Sequence, residues 1–161
     1  MFMEKTNVMR ILEQHKIKYH SYYYGDTNAI SGVDVATVLQ QDVRHVFKTL
    51  VTVGQSKRYY VFLVPVALEL DLKKAAKSVG EKSIMMLPLK DLLTVTGYVH
   101  GGCSPIGMKK KFCTVADSSA KEFDAIIFSA GKIGYQVELS CGDLEQMTQC
   151  SFFSLCKKVN E

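Results

Sequence analysis

The sequence predicts a mixed α/β fold, one domain across residues 1–161, from three observations. The chain has 161 residues, 47% of them apolar, and at this length folding buries about 70% of the unfolded surface, enough for one sizeable core. Two β-branched and aromatic runs, Val46 to Val53 and Tyr59 to Val66, flank the turn residues Gly54 to Lys57 and read as a hairpin. Around them, helix-period segments and short strands alternate irregularly, which fits an antiparallel or mixed sheet better than a regular doubly wound one.

The elements follow in order. Thr6 caps a helix to about His15, with Val8, Ile11, Leu12 and His15 on one stripe, His15 at the edge of the core. Tyr19 to Tyr24 reads as a strand, and Gly25 to Asn28 as a loop. Ser31 and Asp34 have capping-box spacing and open a short helix through about Gln40. After the hairpin, Asp71 caps a helix with Leu72, Ala75, Ala76 and Val79 on its apolar face, ended by Gly80. Its Lys73, Lys74 and Lys77 fall on the wet face. Ser83 to Met86 is a short strand, and Pro88 begins a helix that Gly97 stops. Tyr98 to Gly107 is a structured loop. Phe112 to Ala116, Ala125 to Ser129 and Tyr135 to Leu139 are strands, the last two joined through Gly131 to Gly134. Ser140 with Asp143 opens a helix to about Met147, and Phe152 to Cys156 forms a last strand or helical turn.

Composition narrows the function classes. The longest uncharged stretch, Leu92 to Met108, is broken by Gly97, Gly101, Gly102 and Pro105, which argues against a transmembrane helix. The N-terminal segment carries Glu4, Lys5, Arg10 and Glu13 where a signal peptide has an apolar core, so a cytoplasmic protein without a membrane partner is expected. Five cysteines without Cys-x-x-Cys spacing support neither a disulfide framework nor a zinc site, and a thiol redox protein lacks a resolving pair. No metal and no cofactor are expected. A net charge of +4 permits contact with nucleic acid without requiring it, and the short lysine clusters read equally as solvated faces.

Two features carry candidate chemistry. In Gly101-Gly102-Cys103-Ser104-Pro105-Ile106-Gly107, glycines let the backbone approach a ligand and aim N–H groups at an oxyanion or carbonyl; a tight turn is the plainer alternative. Lys48 lies inside an apolar strand on the face of Val46 and Leu50, where it needs a partner such as a phosphate if that face is inward, or guards an exposed edge if not. A Cys103–His100 nucleophile pair is conceivable within the loop.

The stretches Val46 to Leu50, Leu70 to Lys77, Gly97 to Gly107 with the trailing lysines, Ser129 to Lys132 and Glu138-Leu139, taken in order, resemble the YbaK/EbsC-type aminoacyl-tRNA deacylases. These are free-standing relatives of the editing domain of prolyl-tRNA synthetase. The resemblance implies a mixed, barrel-like sheet flanked by helices, and a trans-editing enzyme that clears a wrong amino acid, foremost cysteine, from tRNA(Pro), with the substrate's own thiol attacking its ester. It implies that Lys48 holds the phosphate or ribose of the terminal adenosine and that Gly101 and Gly102 bind the ester carbonyl. Tyr24, Pro105, Ser129 and Gln136 fall at substrate-binding positions, and Lys73, Lys74, Lys109, Lys110 and Lys111 become candidates for the acceptor stem. Gln136 departs from the aspartate common in relatives. Aminoacyl-tRNA is the implied partner, with prolyl-tRNA synthetase as a possible second. The competing readings are a non-catalytic editing-like module that binds tRNA or a synthetase, and a deacylase for another small amino acid such as alanine.

Overall fold

The computed structural model describes residues 4–158. Its helices begin where side chains satisfy free backbone amides. Thr6 accepts from Met9 N at the head of α1 (Asn7–Gln14), Ser31 from Asp34 N at α2 (Gly32–Val38), and Asp71 from Lys73 N and Lys74 N at α3 (Leu72–Val79). Pro88 precedes α4 (Leu89–Thr96), and Ser140 accepts from Asp143 N at α5 (Cys141–Thr148). Gly80 and Gly97 end their helices at φ 73° and 87°, a left-handed conformation that favours glycine. His15 is not at the core edge: it is the exposed C-cap of α1, its Nδ1 2.9 Å from Ile11 O.

The strands are β1 (His20–Tyr23), β2 (Phe47–Gly54), β3 (Tyr59–Pro65), β4 (Ile84–Met86), β5 (Cys113–Asp117), β6 (Ala125–Ser129), β7 (Tyr135–Ser140) and β8 (Ser151–Phe153). One sheet runs β4-β2-β3-β5-β8, with β4, β2 and β3 antiparallel and β5 and β8 joined in parallel; the other runs β1-β7-β6, all antiparallel. β8 starts earlier than the predicted Phe152 to Cys156 strand. The amide of Leu155 goes instead to Asp117 Oδ1 at 2.9 Å, and Leu155 O receives Asp71 N at 2.7 Å. Two 3-10 turns, Val43–His45 and Ser118–Glu122, were not legible in the sequence because they are too short for a period; Asp42 and Asp117 cap them.

Alternation along β2 and β3 sorts the core. Phe47 and Leu63 face the inner side of the smaller sheet, packing with α1, α5, Ile126, Phe128 and Val137. Val51 and Val61, on that same face, pack with Leu87, Leu92 and Cys103. The opposite face carries Leu50, Tyr60, Phe62 and Val64, covered by Ala75 and Ala76 of α3 and by Leu155. α2 closes a small cluster of Ala36, Val46 and Ile127. The two sheets meet through one parallel bridge, Val46 to Ile127, and do not close into a barrel.

Asp117 is 6% exposed and accepts from Ser119 N, Ser119 Oγ and Leu155 N. Replacing it orphans buried donors, so Asp117→Ala is expected to lower the unfolding free energy by about 3 kcal/mol in urea titration, with Asp117→Asn losing less.

Candidate functional site at the fork of strand β2

Strand β2 is paired with β3 along its length, but its other edge changes partner. Val46 bridges β6, and pairing with β4 begins only at Thr52. Val66 N donates to Val46 O and Leu87 N to Val51 O, so even-numbered backbone groups face β3 and odd-numbered ones face the fork. The amide and carbonyl of Thr49 therefore lie in no ladder. Its hydroxyl is also buried without a hydrogen-bond partner among the described residues. Three polar groups of one residue thus await a partner at this point.

A cleft of about 300 Å³ follows the fork. Its lining brings together Tyr24, Lys48, Thr49, His100, Gly101, Cys103, Ser129 and Gln136 with Val35, Val51, Leu87 and Leu92, and no carboxylate. Ile30 and Leu89 at its rim are 90% and 67% exposed. Sequence reasoning missed Thr49 and the rim, because a hydroxyl within a strand and scattered apolar residues give no pattern.

The glycine loop is fastened on both sides. Tyr98 OH donates to Ile106 O, closing the loop on itself, and burial pushes the Tyr98 hydroxyl up to about 12. Thr96 Oγ accepts from Tyr98 N, at the end of α4. Gly101, at φ 87°, lines the cleft, whereas Gly102 does not. Gly102 N donates to Val99 O, and a Cβ there would stand 3.0 Å from Ile133 N. Its small size thus serves close packing on the Gly131 to Gly134 turn, and its amide is not available to a ligand. The amides of Gly101 and Cys103 have no acceptor among the described residues and take over that possibility.

Lys48 shares a face with Leu50, as alternation predicts, and forms no ion pair among the described residues. Its charge reaches the far side of the fork: burial pushes the Cys156 thiol up to about 12, and Lys74 and Lys48 oppose that rise. Among the three tyrosines, Tyr22 donates to Glu138 Oε1 at 2.7 Å and Tyr23 packs its ring against that of Tyr135 at a tilt of 55°, with centroids 4.9 Å apart, leaving Tyr24 to line the cleft. Ser129 Oγ accepts from Gly131 N at 3.1 Å and shapes the turn beside it. Gln136 is 6% exposed, and its Oε1 accepts from Gln41 Nε2 at 2.9 Å.

Other predicted residues lie elsewhere. Pro105 lines a second hollow of about 210 Å³ with Lys110 and Lys111. Lys74 is not on a free wet face, since its Nζ donates to Cys156 O at 2.9 Å and ties α3 to the C-terminal segment. Lys73 sits on α3, on one face of the larger sheet, and Lys109 to Lys111 follow Met108 on the other, so the clusters do not form one patch. His100 and Cys103, by contrast, both line the cleft, His100 exposed and Cys103 buried. Among the described residues no group of three His, Cys, Asp or Glu is placed to hold a metal ion, and no helix is long and apolar enough to cross a membrane.

The model of the aminoacyl-tRNA editing domain family matches residues 27–147. A protein of Enterococcus faecalis, EbsC, whose name proposes a Cys-tRNA(Pro)/Cys-tRNA(Cys) deacylase, is 46% identical over 156 residues, covering 96% of this chain and 95% of the relative. Among solved structures, a proposed trans-editing enzyme for prolyl-tRNA synthetase superimposes with a TM-score of 0.81 at 22% identity, covering 94% of this chain and 95% of that one. A hypothetical protein superimposes with a TM-score of 0.85 at 16% identity, covering 96% and 100%. At these identities the two structures share the fold.

Burial pushes the Cys103 thiol up to about 12, so it stays protonated at neutral pH. Iodoacetamide at about pH 8 is expected to modify the exposed Cys113 and to leave Cys103 unmodified by peptide mass mapping.

Proposed function

This chain belongs to the aminoacyl-tRNA editing domain family, and we propose that it is a trans-editing deacylase that removes cysteine from mischarged tRNA(Pro). The observation that carries this reading is the lining of the cleft at β2: one lysine, one exposed histidine, free loop amides and an unpartnered threonine, with no carboxylate and no ionised thiol. Such a site suits an ester that is already activated and needs holding rather than a protein nucleophile. The name of the Enterococcus relative supports the choice of cysteine.

In this mechanism the ammonium of Lys48 holds the terminal phosphate or ribose oxygens of the tRNA. Ile30 and Leu89 give the terminal base an apolar seat. The amides of Gly101 and Cys103 donate to the ester carbonyl and stabilise the oxyanion as it forms. Thr49, Tyr24 and Ser129 orient the aminoacyl group. The substrate's own sulfur then bonds to the carbonyl carbon, the carbon–oxygen ester bond breaks, and the thiol proton passes to the departing ribose oxygen. Water opens the resulting thiolactone to free cysteine. Lys110 and Lys111 are exposed and available to the acceptor stem, and delivery by prolyl-tRNA synthetase in the cytoplasm belongs to the same proposal.

The test is a deacylation time course on Cys-tRNA(Pro), Ala-tRNA(Pro) and Pro-tRNA(Pro). Selective loss of cysteine supports the proposal. Selective loss of alanine changes the substrate, and no loss of any favours a binding module. Lys48→Ala is expected to reduce kcat/KM roughly 10- to 100-fold, the contribution of a charge-assisted hydrogen bond. Cys103→Ala keeps the backbone amide and is expected to cost no more than about threefold, whereas loss of a true nucleophile costs orders of magnitude more.

A further inference from the structure

Gln136 projects from β7, where its register partners are Tyr22 and Ser129. Covering it is Gln41, two residues past Leu39, the C-cap of α2. That end is held by a pair of backbone hydrogen bonds, Gln41 N to Ala36 O at 2.8 Å and Gln40 N to Thr37 O at 3.2 Å, with Gln40 in the left-handed region at φ 56°. The termination of α2 therefore fixes where the side chain of Gln41 starts, and its Nε2 reaches Gln136 Oε1 at 2.9 Å. The other end of the Gln41 carboxamide, Oε1, is buried with no partner among the described residues.

Two facing carboxamides can be joined in either sense. The opposite sense, Gln136 Nε2 to Gln41 Oε1, would leave the Gln41 amino group buried with two unmatched donors. Orphaned buried N–H groups are rarer in folded proteins than under-satisfied carbonyls, so the observed sense is the less costly one. It consumes the carbonyl of Gln136. Because Gln136 also lines the cleft, the atom it has left for a ligand is Nε2.

We propose that Gln41 is a positioning residue that locks the Gln136 carboxamide with Nε2 toward the cleft, making this wall a neutral hydrogen-bond donor for an oxygen acceptor of the aminoacyl-ribose ester. A carboxylate at the same place would accept from the substrate and attract its ammonium; Gln136, its carbonyl taken by Gln41, offers the substrate neither. The ligand chemistry rests on the deacylase reading above, whereas the orientation of the amide does not.

Two measurements test the two parts. Side-chain amide exchange in ¹⁵N-labelled protein, assigned by loss of the corresponding signals in Gln41→Leu and Gln136→Leu, is expected to show the Gln41 amino protons protected and those of Gln136 exchanging freely. The reverse pattern overturns the lock, whether or not the protein deacylates anything. For the chemistry, Gln136→Glu keeps the shape and still accepts from Gln41, but at neutral pH has no donor to offer. It is expected to lower kcat about 10-fold on the substrate that the wild type deacylates, with the ratio to wild type recovering below about pH 5.5 as the carboxyl gains a proton. Gln41→Glu can no longer donate at neutral pH, turns Gln136 Nε2 inward, and is expected to show a loss of similar size. A folded Gln136→Glu as fast as wild type at neutral pH overturns the donor role. A wild type inert on every aminoacyl-tRNA overturns the deacylase reading and with it the donor's ester ligand, and leaves the exchange result to decide the amide orientation.

Discussion

Every backbone amide and carbonyl of a buried strand needs a partner, and strand β2 meets that demand on both edges except at Thr49. Toward β3 it is satisfied along its whole length. Toward the other side it meets β6 at Val46 and β4 from Thr52. The gap around Thr49 is the place where the two sheets part, and the cleft exists because they part there. A continuous ladder would have filled the same space with main chain.

The cleft joins this edge to a loop that is rigid for its own reasons. Tyr98, Ile106 and the close approach of Gly102 to Ile133 fasten the segment without using the amides of Gly101 and Cys103. What reaches the cleft is thus a set of fixed dipoles around Lys48, with His100 at the loop side. Fixed dipoles need no reorganisation as charge develops, which is how a site lacking an obvious acid–base pair can still favour a transition state over a ground state.

Most of the fold was legible in the sequence, since the helix caps Thr6, Ser31, Asp71 and Ser140 and the hairpin at Gly54 act through local rules. Lys48 and Gly101, singled out as a charge within an apolar strand and a member of a glycine-rich loop, both line the cleft. What escaped depended on distant partners. The tie of Lys74 to Cys156 O spans 82 residues, and that of Gln41 to Gln136 spans 95. Gly102 was legible as important and misassigned in role, because a glycine needed for packing and one needed for a ligand look alike in a sequence. Pro105 fell to the second hollow for a related reason: motif spacing does not say to which side a loop turns.

The parallel arrangement of β3, β5 and β8 bears on edge protection. Strand β8 pairs the outer edge of β5, and just after it Leu155 N donates to Asp117 while Leu155 O receives the amide of Asp71. No residue of the cleft's lining, from Tyr24 to Gln136, lies in this segment. The segment therefore guards the sheet rather than the chemistry: with β8 displaced, β5 would present an unpaired edge open to intermolecular pairing, and no lining side chain would be removed.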